Sequence, residues 1–405
     1  MKKIFTSVFI LVAAFANAQT ADSVISAGGA LDVYYDFETQ TKTSVARTTW
    51  DIGFTTDGRG ASIIINESAE VELFLYSDNI SQWDNVDTNG MMWDNIYNSE
   101  STWNAGAFAN QGTVHPDYGW GIYNMNTHDI VGNRIFLLSY DGGVSFKKVI
   151  VENLSPSGTF TLKTANLDGS DSKEYTFTKS SMADKNFGLL DLGSGEFITA
   201  NPARKDWDLL FTRYITTVQQ GPVVMNMAVG GVKINVNSRV AKITGDISSD
   251  DTANLTWTTN ITEIGYDWKT FNRTNYTYDM EDVAYFVVTE NGAMYKIWFT
   301  DYTVGSGNFF FNTKQIKEGV NSTPRYAKLN TSVYPNPANN VLNIQNKENE
   351  ALTLNLLNAQ GAVVATQQVG AMTSTQVNTA DFATGVYFLQ MNTASTSSTQ
   401  RIIIE

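Results

Sequence analysis

IFLLSYDGGVSFKKVIVENLSPSGTFTLKT, residues 135–164, aligns without a gap on AYFVVTENGAMYKIWFTDYTVGSGNFFFNT, residues 284–313. At the constant offset of 149, Gly143 meets Gly292, Phe146-Lys147 meets Tyr295-Lys296, and Ser157-Gly158 meets Ser306-Gly307. Each copy alternates apolar and polar residues in short runs, the period of a half-buried strand. Asp141-Gly142-Gly143 and Asn291-Gly292 separate the runs and are tight-turn signals. The stretch therefore reads as strands and hairpins, and it occurs twice.

Further out, the same texture continues in Ala61–Asn66 (ASIIIN) and Val71–Tyr76 (VELFLY). No long stripe with a 3.6-residue period competes, although Met91–Tyr97 has room for one short helix. The expected class is all-β. A second match lies earlier in each half: Trp50-Asp51-Ile52-Gly53-Phe54-Thr55 against Trp207-Asp208-Leu209-Leu210-Phe211-Thr212. Its offset is 157, so the first half carries a net insertion of 8 residues between the two matches. Each WD motif follows a strand-like DF or DL run, Asp36-Phe37 and Asp191-Leu192. Two signals in the same order predict two related antiparallel β-domains, about 20–183 and 184–320. Chance similarity between β-rich runs is the competing explanation. In each WD motif, the Trp and the Phe four residues on are expected on one strand face, anchoring a core. The Asp between them is expected to take a turn or backbone hydrogen bond.

The chain has 405 residues, enough for two or three domains, with 42% hydrophobic and 12% aromatic residues to fill their cores. Cys 0 rules out disulfides, Cys-bearing zinc sites, thiol nucleophiles and Cys lipid anchors; His 2 rules out any mechanism needing several imidazoles. Met1–Ala18 reads as a secretory signal: Lys2 and Lys3, an apolar Ile4–Phe15, then Ala16-Asn17-Ala18 as a small-x-small cleavage site. Its removal would leave Gln19 first, with 25 basic against 41 acidic side chains. So acidic a surface repels phosphate backbones, which speaks against nucleic acid as a partner. No stretch of the mature chain reads as a transmembrane segment.

The strand pattern lapses around Lys314–Asn330, where Glu318-Gly319, Asn321-Ser322-Thr323-Pro324 and Lys328 make a polar connector, with the linker itself at 321–330. Residues 331–405 change composition, becoming rich in Thr, Asn, Gln and Ala. About seven short strands are expected there, folded as a small Ig-like β-sandwich. VYPNPANNVLNI (333–344), LNLLNAQGAVV (354–364), FATGVYFL (382–389) and the closing RIIIE (401–405) resemble the type A C-terminal sorting domain of the Bacteroidetes type IX secretion system. The resemblance implies passage through the periplasm on the signal peptide. It also implies recognition of the tail by the type IX secretion machinery and a product that is secreted or held at the outer-membrane surface.

The upstream repeats resemble HmuY-like proteins, β-rich haem-binding proteins of the same phylum. Asp206–Tyr214 (DWDLLFTRY), Gly230–Asn235 (GGVKIN) and Tyr285–Phe299 (YFVVTENGAMYKIWF) carry this resemblance, and Trp50–Phe54 with Phe136–Lys147 repeats it more loosely. In that family a pair of His, or of Met in some relatives, holds the haem iron. Here His115 and His128 lie 13 residues apart among Pro116, Tyr118, Trp120 and Tyr123, and the second half offers Met225 and Met227. No family motif places an axial ligand on any of them. Surface histidines and core methionines are the plain alternatives.

The oxygen-rich loops Asp168–Asp171 and Asp246–Asp251 lack the EF-hand spacing and read as solvated turns. Asp22-Ser23-Val24 and Asp251-Thr252-Ala253 resemble short O-glycosylation sites of this phylum. Trp93, Tyr97, Trp103 and Tyr118 would either make a sugar- or protein-binding face or pack the insertion onto its own domain. No GxSxG, HExxH, GxxxxGK[ST] or GxGxxG occurs. No catalytic or metal-ligating residue is named, and the cofactor-binding residues stay open, haem included. The expectation is a non-enzymatic exported protein binding haem or another apolar ligand. A surface adhesin or structural protein binding glycan or protein is the second reading. A secreted hydrolase has the least support.

Overall fold

The computed structural model describes residues 19–26, 29–90, 94–220, 222–319, 329, 331–348, 350–358, 362–393 and 397–405. The signal segment, Trp93 and nearly all of the 321–330 linker lie outside the described residues. The fold is almost entirely antiparallel β-sheet. The chain forms two compact units, 1–321 and 322–405.

Among the described residues the upstream unit contains, besides a small cluster around Ile64, two large apolar cores. One gathers Ile52, Phe54, Phe136, Leu138, Val151, Phe160 and Leu192. The other gathers Val33, Tyr35, Phe37, Leu209, Phe211, Tyr285, Ile297 and Phe311. Phe37 and Leu192 thus each sit in the core built mainly by the other half. The ladders show why. Strand Ile52–Thr55 pairs with Ile63–Ile65 and with Phe187–Leu190. Strand Leu209–Gln220 pairs with Val223–Ile234 and with Leu31–Tyr35. Gln19–Val24 adds to Phe309–Lys317, and Lys173–Thr178 adds to Thr159–Asn166. The position 183/184, where the repeat arithmetic divides the chain, is therefore spanned by one lobe. Residues 47–201 close that lobe, while the N-terminal strands up to Ala46 complete the lobe of residues 204–317.

The WD aspartates fasten this exchange. Asp208 Oδ2 accepts from the Phe37 N–H at 2.8 Å, and Asp51 Oδ2 accepts from the Leu192 N–H at 2.7 Å. The Asp208 and Asp51 N–H groups donate to Tyr35 O and Leu190 O, at 2.7 and 2.8 Å. Behind each motif one asparagine closes the preceding turn. Asn66 Nδ2 donates to Arg47 O and Trp50 O, and Asn235 Nδ2 donates to Arg204 O and Trp207 O. The same hydrogen bonds recur at both motifs.

The ungapped repeat is one residue out of register in its middle strand. Phe136 opposes Val149 where Tyr285 opposes Ile297, and Val151 opposes Leu162 where Phe299 opposes Phe311. The first hairpin loop carries one extra residue and the next turn one fewer. The structural counterpart of Lys296 is therefore Lys148, not Lys147. Both are buried. Lys148 Nζ donates to Trp83 O at 2.6 Å, and Lys296 Nζ donates to Ser249 O at 2.7 Å, so each ammonium pins a loop to its sheet. No helix forms among the described part of 91–97; Asn95–Ile96 is a strand paired with Leu73 and Phe74.

The tail unit is the expected small sandwich. A three-stranded sheet (331–334, 341–346, 374–378) and a four-stranded sheet (352–357, 363–369, 385–392, 397–404) enclose Leu342, Ile344, Leu354, Leu389 and Ile402. Its first and last motifs meet: Asn336 Nδ2 donates to Arg401 O at 2.9 Å, and Asn336 Oδ1 accepts from Ile403 N–H at 2.8 Å.

Replacing Asp208 with Ala strands a buried backbone N–H at Phe37. The expected loss is about 1–3 kcal/mol of unfolding free energy, read by urea titration. A variant with unchanged midpoint and slope would show that the cap does not hold the exchange.

Candidate functional site

Strands Ile52–Thr55 and Ile63–Ile65 are buried on both faces, and so are residues 209–212 at the start of Leu209–Gln220. Alternation divides their side chains. Leu209 and Phe211 face the second core, while Leu210 and Thr212 face a cavity between the lobes. Ile63 and Ile65 enter the first core, whereas Ile64 packs with Phe187, Leu189 and Trp50. The expected shared face for Trp and Phe does not occur. Each Trp ends a short 3-10 turn (Arg47–Thr49 or Arg204–Asp206) before its strand begins, so strict alternation does not reach it. Phe54 and Phe211 are core residues; Trp50 and Trp207 line the junction.

Trp103 completes that junction from the insertion of the first half. Its ring meets Phe187 at 5.9 Å and Trp207 at 6.5 Å, and its Nε1–H donates to Ile234 O at 3.0 Å. The insertion thus packs on the second lobe rather than only on its own. The cavity of about 70 Å³ has room for a few waters but not for a macrocycle.

Buried charge surrounds this cavity. Asp32 Oδ1 accepts from Arg47 Nε at 2.9 Å, Ser68 Oγ at 2.9 Å and Thr212 Oγ1 at 2.7 Å. Burial raises the Asp32 carboxyl above its ordinary range despite the opposing pull of Arg47. Glu67 accepts from the Asn98 N–H at 2.7 Å, and burial raises it too. Lys233 lies over the rings of Tyr214 (4.8 Å) and Trp103 (5.4 Å); burial lowers its ammonium pKa, against the attraction of Glu67, Glu100 and Asp32. These groups form a buried charge network, and sequence reasoning had no signal for it.

The residues weighed as haem ligands lie elsewhere. His115 and His128 are both exposed. They flank one phenol: His128 Nδ1 is 2.6 Å from Tyr123 OH, and the His115 ring is 5.5 Å from the Tyr123 ring. Neither enters the junction cavity. Met225 is exposed near the end of the long Val223–Ile234 strand, and Met227 is half-buried. Asp168 and Asp246 are each occupied by the serine two residues on, and Asp250 pairs with Lys296 and Lys314. Among the described residues no group of three acidic or His side chains is placed to hold a metal. Trp120 is fully buried in the first core, and Tyr118 packs beside His115. Among the described residues no helix is long and apolar enough to cross a membrane.

The tail defines the protein by its export route. Residues 332–405 match the secretion system C-terminal sorting domain family, so the chain carries the signal of a protein exported by the type IX system. No curated protein matches the sequence. Among solved structures, apo PinO from Porphyromonas gingivitis is 13% identical over 75% of this chain and 100% of that one, with a TM-score of 0.22. The BSP domain of a biofilm associated protein is 11% identical over 96% of this chain and 66% of that one, with a TM-score of 0.16. At those scores neither supports an argument about ligand or lobe arrangement.

Lys233→Met leaves Glu67 without its main compensating charge. The expected loss is about 3 kcal/mol at pH 8, from urea unfolding. It should shrink toward pH 5: the raised folded-state pKa lets Glu67 take up a proton that the unfolded chain does not hold. An equal or larger loss at pH 5 would contradict this network.

Proposed function

We propose that this protein is a non-enzymatic binding protein delivered to the outer-membrane surface or the medium through the periplasm. The signal segment Met1–Ala18 takes it across the inner membrane, and the tail engages the type IX machinery. The observation that carries the export reading is the complete tail sandwich, in which the PNPA opening and the terminal RIIIE strand are hydrogen-bonded together. The upstream lobes are the cargo. They resemble HmuY-like domains, and their ligand on this reading is haem or another flat apolar molecule. The feature supporting haem is the face on which His115 and His128 flank Tyr123, beside exposed Val114 and Met125.

A second reading, an adhesin, is favoured by the long hairpin of the second lobe. Val223, Val224 and Met225 expose apolar side chains near its end, where the first lobe has only the short Ile63–Ile65 strand.

Deleting residues 331–405 should leave the chain in the periplasm, read by fractionation and immunoblotting. Appearance of the truncated chain outside the cell would contradict the export assignment. Haemin titration of the mature protein should give a saturable Soret shift that His115→Ala with His128→Ala abolishes. No shift, or a shift indifferent to both changes, would remove haem and leave the adhesin reading to be tested on glycan and matrix-protein arrays.

A further inference from the structure

A second cavity, of about 320 Å³, lies in the second lobe, away from His115 and His128. Arg47, Arg213, Tyr278 and Tyr302 line it, together with glycines 29, 230, 305 and 307. Arg47 is only 4% exposed. Its Nε is held by Asp32, but its Nη1 has no hydrogen-bond partner among the described residues. A buried guanidinium N–H left unmade is costly, and a ligand acceptor would satisfy it.

The second arginine sharpens the requirement. Arg213 is close enough to repel Arg47. Its partner Glu70, at 3.2 Å, has a 72% exposed side chain, so that pair is weak and separable. Behind the wall, Lys269 Nζ donates to Gly230 O at 2.8 Å and lies 4.5 Å from the Tyr302 ring centre. Among the described residues the lining itself carries two arginines and no carboxylate; Asp32 behind Arg47 and the exposed Glu70 beside Arg213 offset part of that charge.

The glycines keep the space open. A side chain at Gly29 would stand 3.2 Å from Arg47 Nη1, and one at Gly230 would stand 2.7 Å from the Tyr302 hydroxyl. One at Gly307 would meet Ser26 Oγ at 2.8 Å. Gly29 and Gly307 also sit at φ +86° and +64°, where a side chain is strained.

We propose that this cavity binds an oxyanion, a carboxylate, sulfate or phosphate on a body no larger than a monosaccharide. The oxyanion would accept from Arg47 Nη1 and Arg213, with a tyrosine ring against its carrier. The site goes beyond the apolar-ligand reading and does not depend on it.

Isothermal titration of the mature full chain at low salt, with glucuronate, inorganic sulfate and inorganic phosphate as separate probes, tests this. At least one should bind saturably, and which one does tells a sugar acid from a free anion. Arg213→Gln changes a half-exposed residue and should weaken that binding about tenfold or more. Lys242→Gln, a surface control paired with Asp267, should leave it unchanged. No saturable binding of any probe at millimolar concentration would overturn the proposal. So would Arg213→Gln binding as the parent does while its circular dichroism and melting temperature stay native.

Discussion

Two carboxylates, Asp51 and Asp208, hold the upstream architecture together. Each receives a backbone N–H from a hairpin that precedes the other WD motif, 141 and 171 residues away in sequence. An aspartate capping a local turn would do nothing unusual. These caps instead fix a strand from one repeat in the sheet of the other, an exchange of the kind seen when identical elements swap between copies. The two related lobes then form a single compact unit.

The exchange also shapes the junction. Each swapped hairpin extends a four-stranded sheet whose inner face fills its own core. The outer faces, with Trp50, Trp103, Trp207 and the Asp32–Arg47 pair, meet between the lobes. Arg47 links the two regions: its Nε serves the buried Asp32, its Nη1 is buried without a partner among the described residues, and the residue lines the second-lobe cavity. One residue just before a WD motif thus serves both the fold and a site.

Much of this was legible in the residues. Local strand alternation and the Gly turns marked the class, and the tail motifs marked the sandwich, because both depend on neighbours close in sequence. The repeated DF/DL and WD pairs were visible too. Their partnership was not: repetition shows that two segments are alike, and says nothing of which copy each one pairs with. The register of Lys148 and Lys296 was hidden for a related reason, since one residue added to a hairpin loop flips every later side chain until a shorter turn restores it. His115 and His128 drew attention because the family resembled holds haem with a pair of His and aromatic residues surround both, and they lie on the surface. Arg47 drew no notice, because nothing in its type or spacing shows that it is buried or which of its nitrogens has a partner.

Because the chain has no cysteine, one engineered pair reports directly on the exchange. Ala21 opposes Asn312 in the ladder that brings the N-terminal strand to the second lobe. The variant carrying Ala21→Cys and Asn312→Cys should oxidise in the folded monomer to one intramolecular disulfide, identified by peptide mass spectrometry. Two free thiols in the folded, oxidant-treated monomer, or a link formed only between molecules, would contradict the exchanged fold.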